Sequence, residues 1–262
     1  MERELRAVLD WWSAQGVDVP DVPAVRTRRA PKADPDPKGG ASAQAAPKPK
    51  RKRGTPQSSG DPATLAAGAS TLAELKAVLD RFEAGALTAE ARQAVFARGN
   101  PEARMMIVGE APGRDEDRHG LPFVGRSGQL LDRMMGAIGL DEQGFYVTNV
   151  VNWRPAKNRT PNAGEIELCK PFLMRHIALA EPDLLVLTGN VPLSAMTGQT
   201  GIMRQRGHWR EVEVPTRDGG TRHIEALPIY HPAFLLRQPA LKKDAWRDLL
   251  SLRLKLDALE AV

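Results

Sequence analysis

Glu110 sits in a turn punctuated by glycine and proline, Gly109-Glu110-Ala111-Pro112-Gly113, which ends the apolar run Met105-Met106-Ile107-Val108. Three more carboxylates, Asp115, Glu116 and Asp117, follow at once. A carboxylate beside such a turn can take a proton from water or steady a cation, although solvated acids at an ordinary strand-to-helix junction would read the same way. Farther along, Asn149 and His231 each close an apolar run. An amide offers a donor and an acceptor side by side, which suits either the edge of a pyrimidine or a structural hydrogen bond. A neutral imidazole can donate to a carbonyl oxygen and stabilise charge developing on a leaving base; a capped turn before Pro232 would explain His231 as well. Phe123, held in Gly120-Leu121-Pro122-Phe123-Val124-Gly125, is either packing or a face on which a base stacks. No phosphate-cradling glycine motif is complete in this stretch.

The elements that must position these groups can be read from periodicity. Short apolar runs predict strands over 105–108, 145–151, 184–188, 211–214 and 223–229, the last two around an Asp218-Gly219-Gly220 turn. Helical spacing predicts helices over 71–82, 129–138, 165–179, 191–196 and 240–259, with Thr160 as N-cap and Pro161 in the first turn of the third of these. Strands separated by helices imply a mostly parallel α/β sheet covered on both faces, and ligands of such sheets collect beyond the carboxyl ends of the strands. An acid, an amide and an imidazole are expected to converge there.

Composition narrows the class. The chain has 262 residues, 42% of them hydrophobic, enough for a sizeable core. Its net charge of +5 comes from one segment: residues 26–53 carry a net +8, leaving −3 on the remainder. Overall charge therefore describes a basic, Pro/Ala/Lys-rich linker expected over 17–63, too polar to fold alone. Before it, Leu5, Val8, Leu9 and Trp12 predict a short amphipathic helix over 1–16 that could meet a protein partner, and the folded domain is expected over 64–262. Within that domain Arg114, Arg118, Arg126, Arg154, Lys157, Arg159, Arg204, Arg206, Arg210 and Arg237 fall on predicted loops, where they favour phosphate contact. The lone Cys169 excludes an intramolecular disulfide, no apolar run is long enough to span a bilayer, and the first sixteen residues are too charged for a secretory signal. A monomeric, cytoplasmic protein is expected.

With these segments in order, the chain resembles the uracil-DNA glycosylase superfamily, and within it family 4, the thermostable type that usually carries a four-iron cluster. The resemblance rests on Gly109-Glu-Ala-Pro-Gly113, Gly120-Leu-Pro-Phe-Val-Gly125, Thr148-Asn-Val-Val151 with Arg154-Pro155 and Asn158-Arg159-Thr160-Pro161, and His231-Pro-Ala-Phe-Leu-Leu-Arg237. It implies a three-layer α/β/α sandwich around a mostly parallel four-stranded sheet. Carried over by position, Phe123 would stack on a flipped uracil, Asn149 would read its edge, and His231 would donate to its O2. Glu110 and Glu116 match the acids that position the attacking water, with Gly109, Ala111 and Gly113 lining the same loop. Arg126, Arg154, Asn158, Arg159 and Arg237 would contact DNA, and Leu235 would be the apolar wedge entering the duplex.

One departure from the family pattern is large. Its cluster is held by four cysteines, and the matching positions here are Phe82, Gly85, Trp153 and Cys169. One thiolate cannot hold a four-iron cluster, so no cofactor and no metal are expected. The resemblance thus implies hydrolysis of the N-glycosidic bond of uracil in DNA, leaving an abasic site. A DNA-binding module of the same fold and a glycosylase for other deaminated bases are the alternatives. No lysine is placed to form a Schiff base, and Ala111 with the short Gly125-Arg126-Ser127 junction departs from relatives that become trapped covalently on DNA.

Overall fold

The computed structural model of the chain describes residues 60–260. The helix expected over 1–16 and all but the last residues of the expected linker lie outside the described residues. Six strands make one sheet: β1 (Arg98–Gly99), β2 (Met105–Gly109), β3 (Tyr146–Asn149), β4 (Leu184–Thr188), β5 (Arg210–Pro215) and β6 (Thr221–Ile229). Their order is β1-β3-β2-β4-β6-β5. The four inner strands are parallel, whereas β1 and β5 run antiparallel at the two edges. The expected four-stranded sheet is therefore the centre of a mixed six-stranded one. β1 left no periodic signal because two residues cannot show one.

Helices cover both faces. They are α1 (Pro62–Ala67), α2 (Leu72–Arg81), α3 (Ala86–Glu90), α4 (Arg114–His119), α5 (Arg126–Ala137), α6 (Ala163–Ala180), α7 (Asn190–Thr197), α8 (Ile202–Gln205), α9 (Pro232–Arg237) and α10 (Lys242–Glu260). Successive residues of β2 point to opposite faces. Met106 and Val108 pack with Leu75 and Leu79 of α2 and Phe172 and Ile177 of α6. Met105 and Ile107 pack with Leu131 and Met135 of α5 and Leu249 and Leu252 of α10. Each fully buried side chain of this kind contributes about 1.5–3 kcal/mol from surface removed from water. Burial on both faces is also why β2 and β4 read as continuous apolar runs.

Several boundaries move for local reasons. α6 is capped by Asn162 and not by Thr160, because Asn162 and Glu165 form a reciprocal capping box with both bonds at 2.9 Å. α1 starts ahead of residue 64, its first turn closed by the Asp61 carboxylate accepting from the Thr64 N–H at 2.9 Å. α10 starts after a 3₁₀ turn over Pro239–Leu241, and β3 is shorter than the expected 145–151. Asp115, Glu116 and Asp117 lie on α4, a helix too short to show periodicity. Among the described residues no helix is long and apolar enough to cross a membrane.

Candidate active site

Three parallel strands deliver their last residues to one place. Gly109 of β2 pairs in register with Asn149 of β3, and Ile229 of β6 pairs with Thr188 of β4, so that Tyr230 and His231 follow directly beyond the sheet. Gly189, at φ +94°, lets the chain turn against His231; a β-carbon there would lie 3.2 Å from that of His231. The Phe123 ring stacks toward the imidazole, centroids 5.7 Å apart at 28°. Gly109 sits beneath both Asn149 and Phe123, since a β-carbon on it would overlap Asn149 Oδ1 and approach Phe123 Cε2 to 2.5 Å. The amide and the ring thus meet over Gly109, whose missing side chain makes room for them, and the imidazole stands beside the ring, against Gly189.

The tautomer of His231 follows from its hydrogen bond. The Ala233 N–H donates to His231 Nδ1 at 3.1 Å, so Nδ1 carries no proton and the neutral ring holds its hydrogen on Nε2. Burial, with Arg237 nearby, pushes the imidazole down to about 4. From about pH 5 upward this ring is a neutral N–H donor.

The four carboxylates separate into different roles. Glu110 is half-buried, and burial raises its carboxyl above the ordinary value, offset in part by a hydrogen bond with the Thr160 side chain. Relieved of the capping role expected of it, Thr160 serves the acid instead, a contact that sequence reasoning missed. Glu116 accepts three backbone donors: Gly113 N–H at 3.1 Å, Val124 N–H at 3.1 Å and Gly125 N–H at 2.8 Å. It ties the start of α4 to the Phe123 loop. Gly113 is small for the same reason, because a β-carbon there would lie 2.7 Å from Glu116 Oε2. Buried Asp117 accepts from the Arg92 N–H at 2.7 Å and is structural. Ala111 packs its methyl against the core on the α2 and α6 side of the sheet.

Of the basic residues, Arg114, Arg126 and Arg154 line one groove with Asn158, about 370 Å³ in volume, beside Asp115 and Glu116. Arg154 is oriented within it by Asn158 Oδ1, 2.5 Å from its Nε. Arg159 instead gives its fork to Glu165, at 2.7 and 2.6 Å, outside the groove lining. Arg206 turns inward to Asp248 and lies over the Tyr230 ring, and Arg210 bonds Gln205, so neither faces a phosphate as expected. Leu235 also departs from its expected place. It is 1% exposed, packed in the core, while Leu236 is 37% exposed. On a six-residue helix that buries Pro232 and Leu235, the next residue points out, so the exposed leucine of α9 is Leu236.

The residues at the cluster positions do not fit an iron–sulfur group. Phe82 packs on Trp153 and Phe172, centroids 5.9 and 5.0 Å apart. Gly85 offers no ligand atom, and burial pushes the Cys169 thiol up to about 12, away from the thiolate a cluster requires. A cleft of about 630 Å³ beside them is lined by Phe82, Gly85 and Trp153 together with Lys76, Asp80 and Gln93. Among the described residues no group of three or more His, Cys, Asp and Glu is placed to hold a metal ion.

Comparison with known proteins covers this same region. The chain is 39% identical over 155 residues to a type-4 uracil-DNA glycosylase of Archaeoglobus fulgidus, covering 57% of this chain and 75% of the relative. It is 37% identical over 159 residues to the type-4 enzyme of Pyrobaculum aerophilum, covering 60% and 81%, and 37% identical over 145 residues to that of Thermotoga maritima, covering 55% and 71%. The family profile described as Uracil DNA glycosylase superfamily matches residues 96–250, a span that holds all the strands and every residue of the site above: the chain belongs to the uracil DNA glycosylase superfamily.

Proposed function

We propose that this chain is a monofunctional uracil-DNA glycosylase that hydrolyses the N-glycosidic bond of uracil in DNA and leaves an abasic site. One observation carries the reading: a neutral imidazole with its proton on Nε2, an amide and an aromatic ring meet where three strands end. Uracil turned out of the stack rests on Phe123, and Asn149 matches its edge. As the bond from C1′ to N1 breaks, the electron pair passes into the pyrimidine, and the His231 Nε2–H donates to O2, where negative charge gathers. Glu110, made more basic by burial, accepts a proton as the oxygen of water bonds to C1′. Glu116 fixes the loop and does not act on water, because its oxygens already accept three backbone N–H groups. The groove of Arg114, Arg126 and Arg154 takes backbone phosphates. The protein works as a monomer in the cytoplasm and without an iron–sulfur cluster.

The test is release of uracil from a labelled oligonucleotide carrying one deoxyuridine, with a chelator present and iron measured on the same sample. Uracil and an abasic site, formed with turnover by iron-free protein, are the expected products. DNA binding without release would point to a binding module, and activity tracking iron content would overturn the cluster-free reading.

In this reading Leu236 is the wedge. Leu236→Ala is expected to slow excision from duplex DNA more than from single strands at unchanged melting temperature. Leu235→Ala is expected to cost about 2–5 kcal/mol of stability, the range for an emptied core leucine. Equal loss on both substrates for Leu236→Ala would remove it from that role.

A further inference from the structure

We propose that Arg98, which lies outside every motif at the site, is the positioning residue that holds the stacking ring of Phe123 in its working place. This rests on the glycosylase reading above. Phe123 has φ +54°, a left-handed conformation that a bulky residue adopts only when its surroundings enforce it. Two walls enforce it here. On one side, Gly128 of α5 is pressed so closely on the Phe123 carbonyl that a β-carbon would overlap it. On the other, Arg98 reaches in from the edge strand β1, its side chain only 9% exposed.

The guanidinium makes four hydrogen bonds. Nε donates to the Pro122 carbonyl at 2.9 Å and Nη2 to the Phe123 carbonyl at 3.3 Å. Asp132 accepts from Nη2 at 2.5 Å and Glu142 from Nη1 at 3.3 Å, and the group lies 5.8 Å from the centre of the Phe145 ring. Two carboxylates on one side therefore orient a fork that grips two successive carbonyls on the other. A planar fork can hold that spacing; an ammonium on a flexible stem cannot. The two-residue strand β1, otherwise a minor edge, pairs Arg98 with Val147 and so anchors the fork to the strand that ends in Asn149. The ring and the amide that meet the base are thus referenced to the same β-ladder.

A double-mutant cycle of Arg98→Lys and Phe123→Ala tests this, with kcat/KM for uracil release and inhibition by free uracil as readouts. Arg98→Lys is expected to lower kcat/KM and uracil affinity roughly ten- to hundredfold when Phe123 is present, as a displaced contact group does, and to have little effect once Phe123 is alanine. The same fold-loss in both backgrounds would overturn the proposal. A second arm does not depend on activity: amide hydrogen exchange over residues 121–128 is expected to quicken at least roughly tenfold in Arg98→Lys while exchange of the β2 and β4 amides stays unchanged. Unaltered exchange in that loop would overturn the proposal even if the wild-type protein released no uracil, an outcome that would itself sink only the glycosylase reading.

Discussion

His231→Ala is expected to slow uracil release by roughly a hundredfold or more, corresponding to the loss of about 3–4 kcal/mol that one preorganised donor to developing charge supplies. The loss falls on kcat and not on DNA affinity, because the Nε2–H meets its full partner only as charge builds on the base. The ring is neutral by design of its surroundings: Nδ1 accepts from the Ala233 N–H, and burial keeps the pKa near 4. The donor therefore does not titrate between pH 5 and 8, and its loss is expected to be the same across that range. The acid limb of the wild-type profile is expected to belong to Glu110. Its carboxylate must be ionised to accept a proton, and its pKa is raised, so the rate falls with acidification at a pH above the ordinary carboxylate value of 4.5. Single-turnover rates of wild type and His231→Ala from pH 5 to 8 decide the matter. A near-normal rate in the variant would remove His231 from the chemistry, and a wild-type rate that rises steadily as pH drops from 8 to 5 would mean that an imidazolium is the donor.

Gly109→Ala is expected to be nearly as damaging, by roughly a hundredfold in kcat/KM, although it adds one methyl group. Ordinary contact between carbon atoms lies near 3.5–4.0 Å, and the new carbon would stand 2.5 Å from Phe123 Cε2 and overlap Asn149 Oδ1. The ring and the amide must each yield by about 1 Å, a misplacement of the size that costs two orders of magnitude in rate. Overpacking this buried spot is also expected to cost about 1–3 kcal/mol of stability, although Gly109 has no positive φ that an alanine would strain. Kinetics on a deoxyuridine oligonucleotide, with a thermal melt on the same sample, separate the two effects. Loss of activity in step with loss of fold would mean that Gly109 is needed for the strand and not for the space above it.

Much of this protein could be read before it was folded. Apolar runs such as Met105-Met106-Ile107-Val108 declared the inner strands, because a parallel strand buried on both faces has no polar side to show. The residues that punctuate those runs, Gly109, Asn149 and His231, are at the carboxyl ends of the strands, where α/β sheets place their sites, so local pattern alone put an amide and an imidazole at one end of the sheet.

What the one-dimensional pattern left open depends on direction, and direction is settled only by packing. Glu110 and Glu116 are equivalent as text; three backbone N–H groups converge on one of them, and burial leaves the other basic. Leu235 and Leu236 differ by one position, and the core takes the first because a short helix has only one inward stripe. Thr160 is the N-cap that the sequence pattern predicts for α6, but the reciprocal bond with Glu165 awards the cap to Asn162 and leaves Thr160 to Glu110. Arg206 reads as a surface cation until Asp248, forty-two residues away, turns it inward. Arg98 shows the limit most plainly. Its partners at Pro122, Phe123, Asp132 and Glu142 lie 24 to 44 residues along the chain, so its grip on the site exists only once the sheet has brought them together.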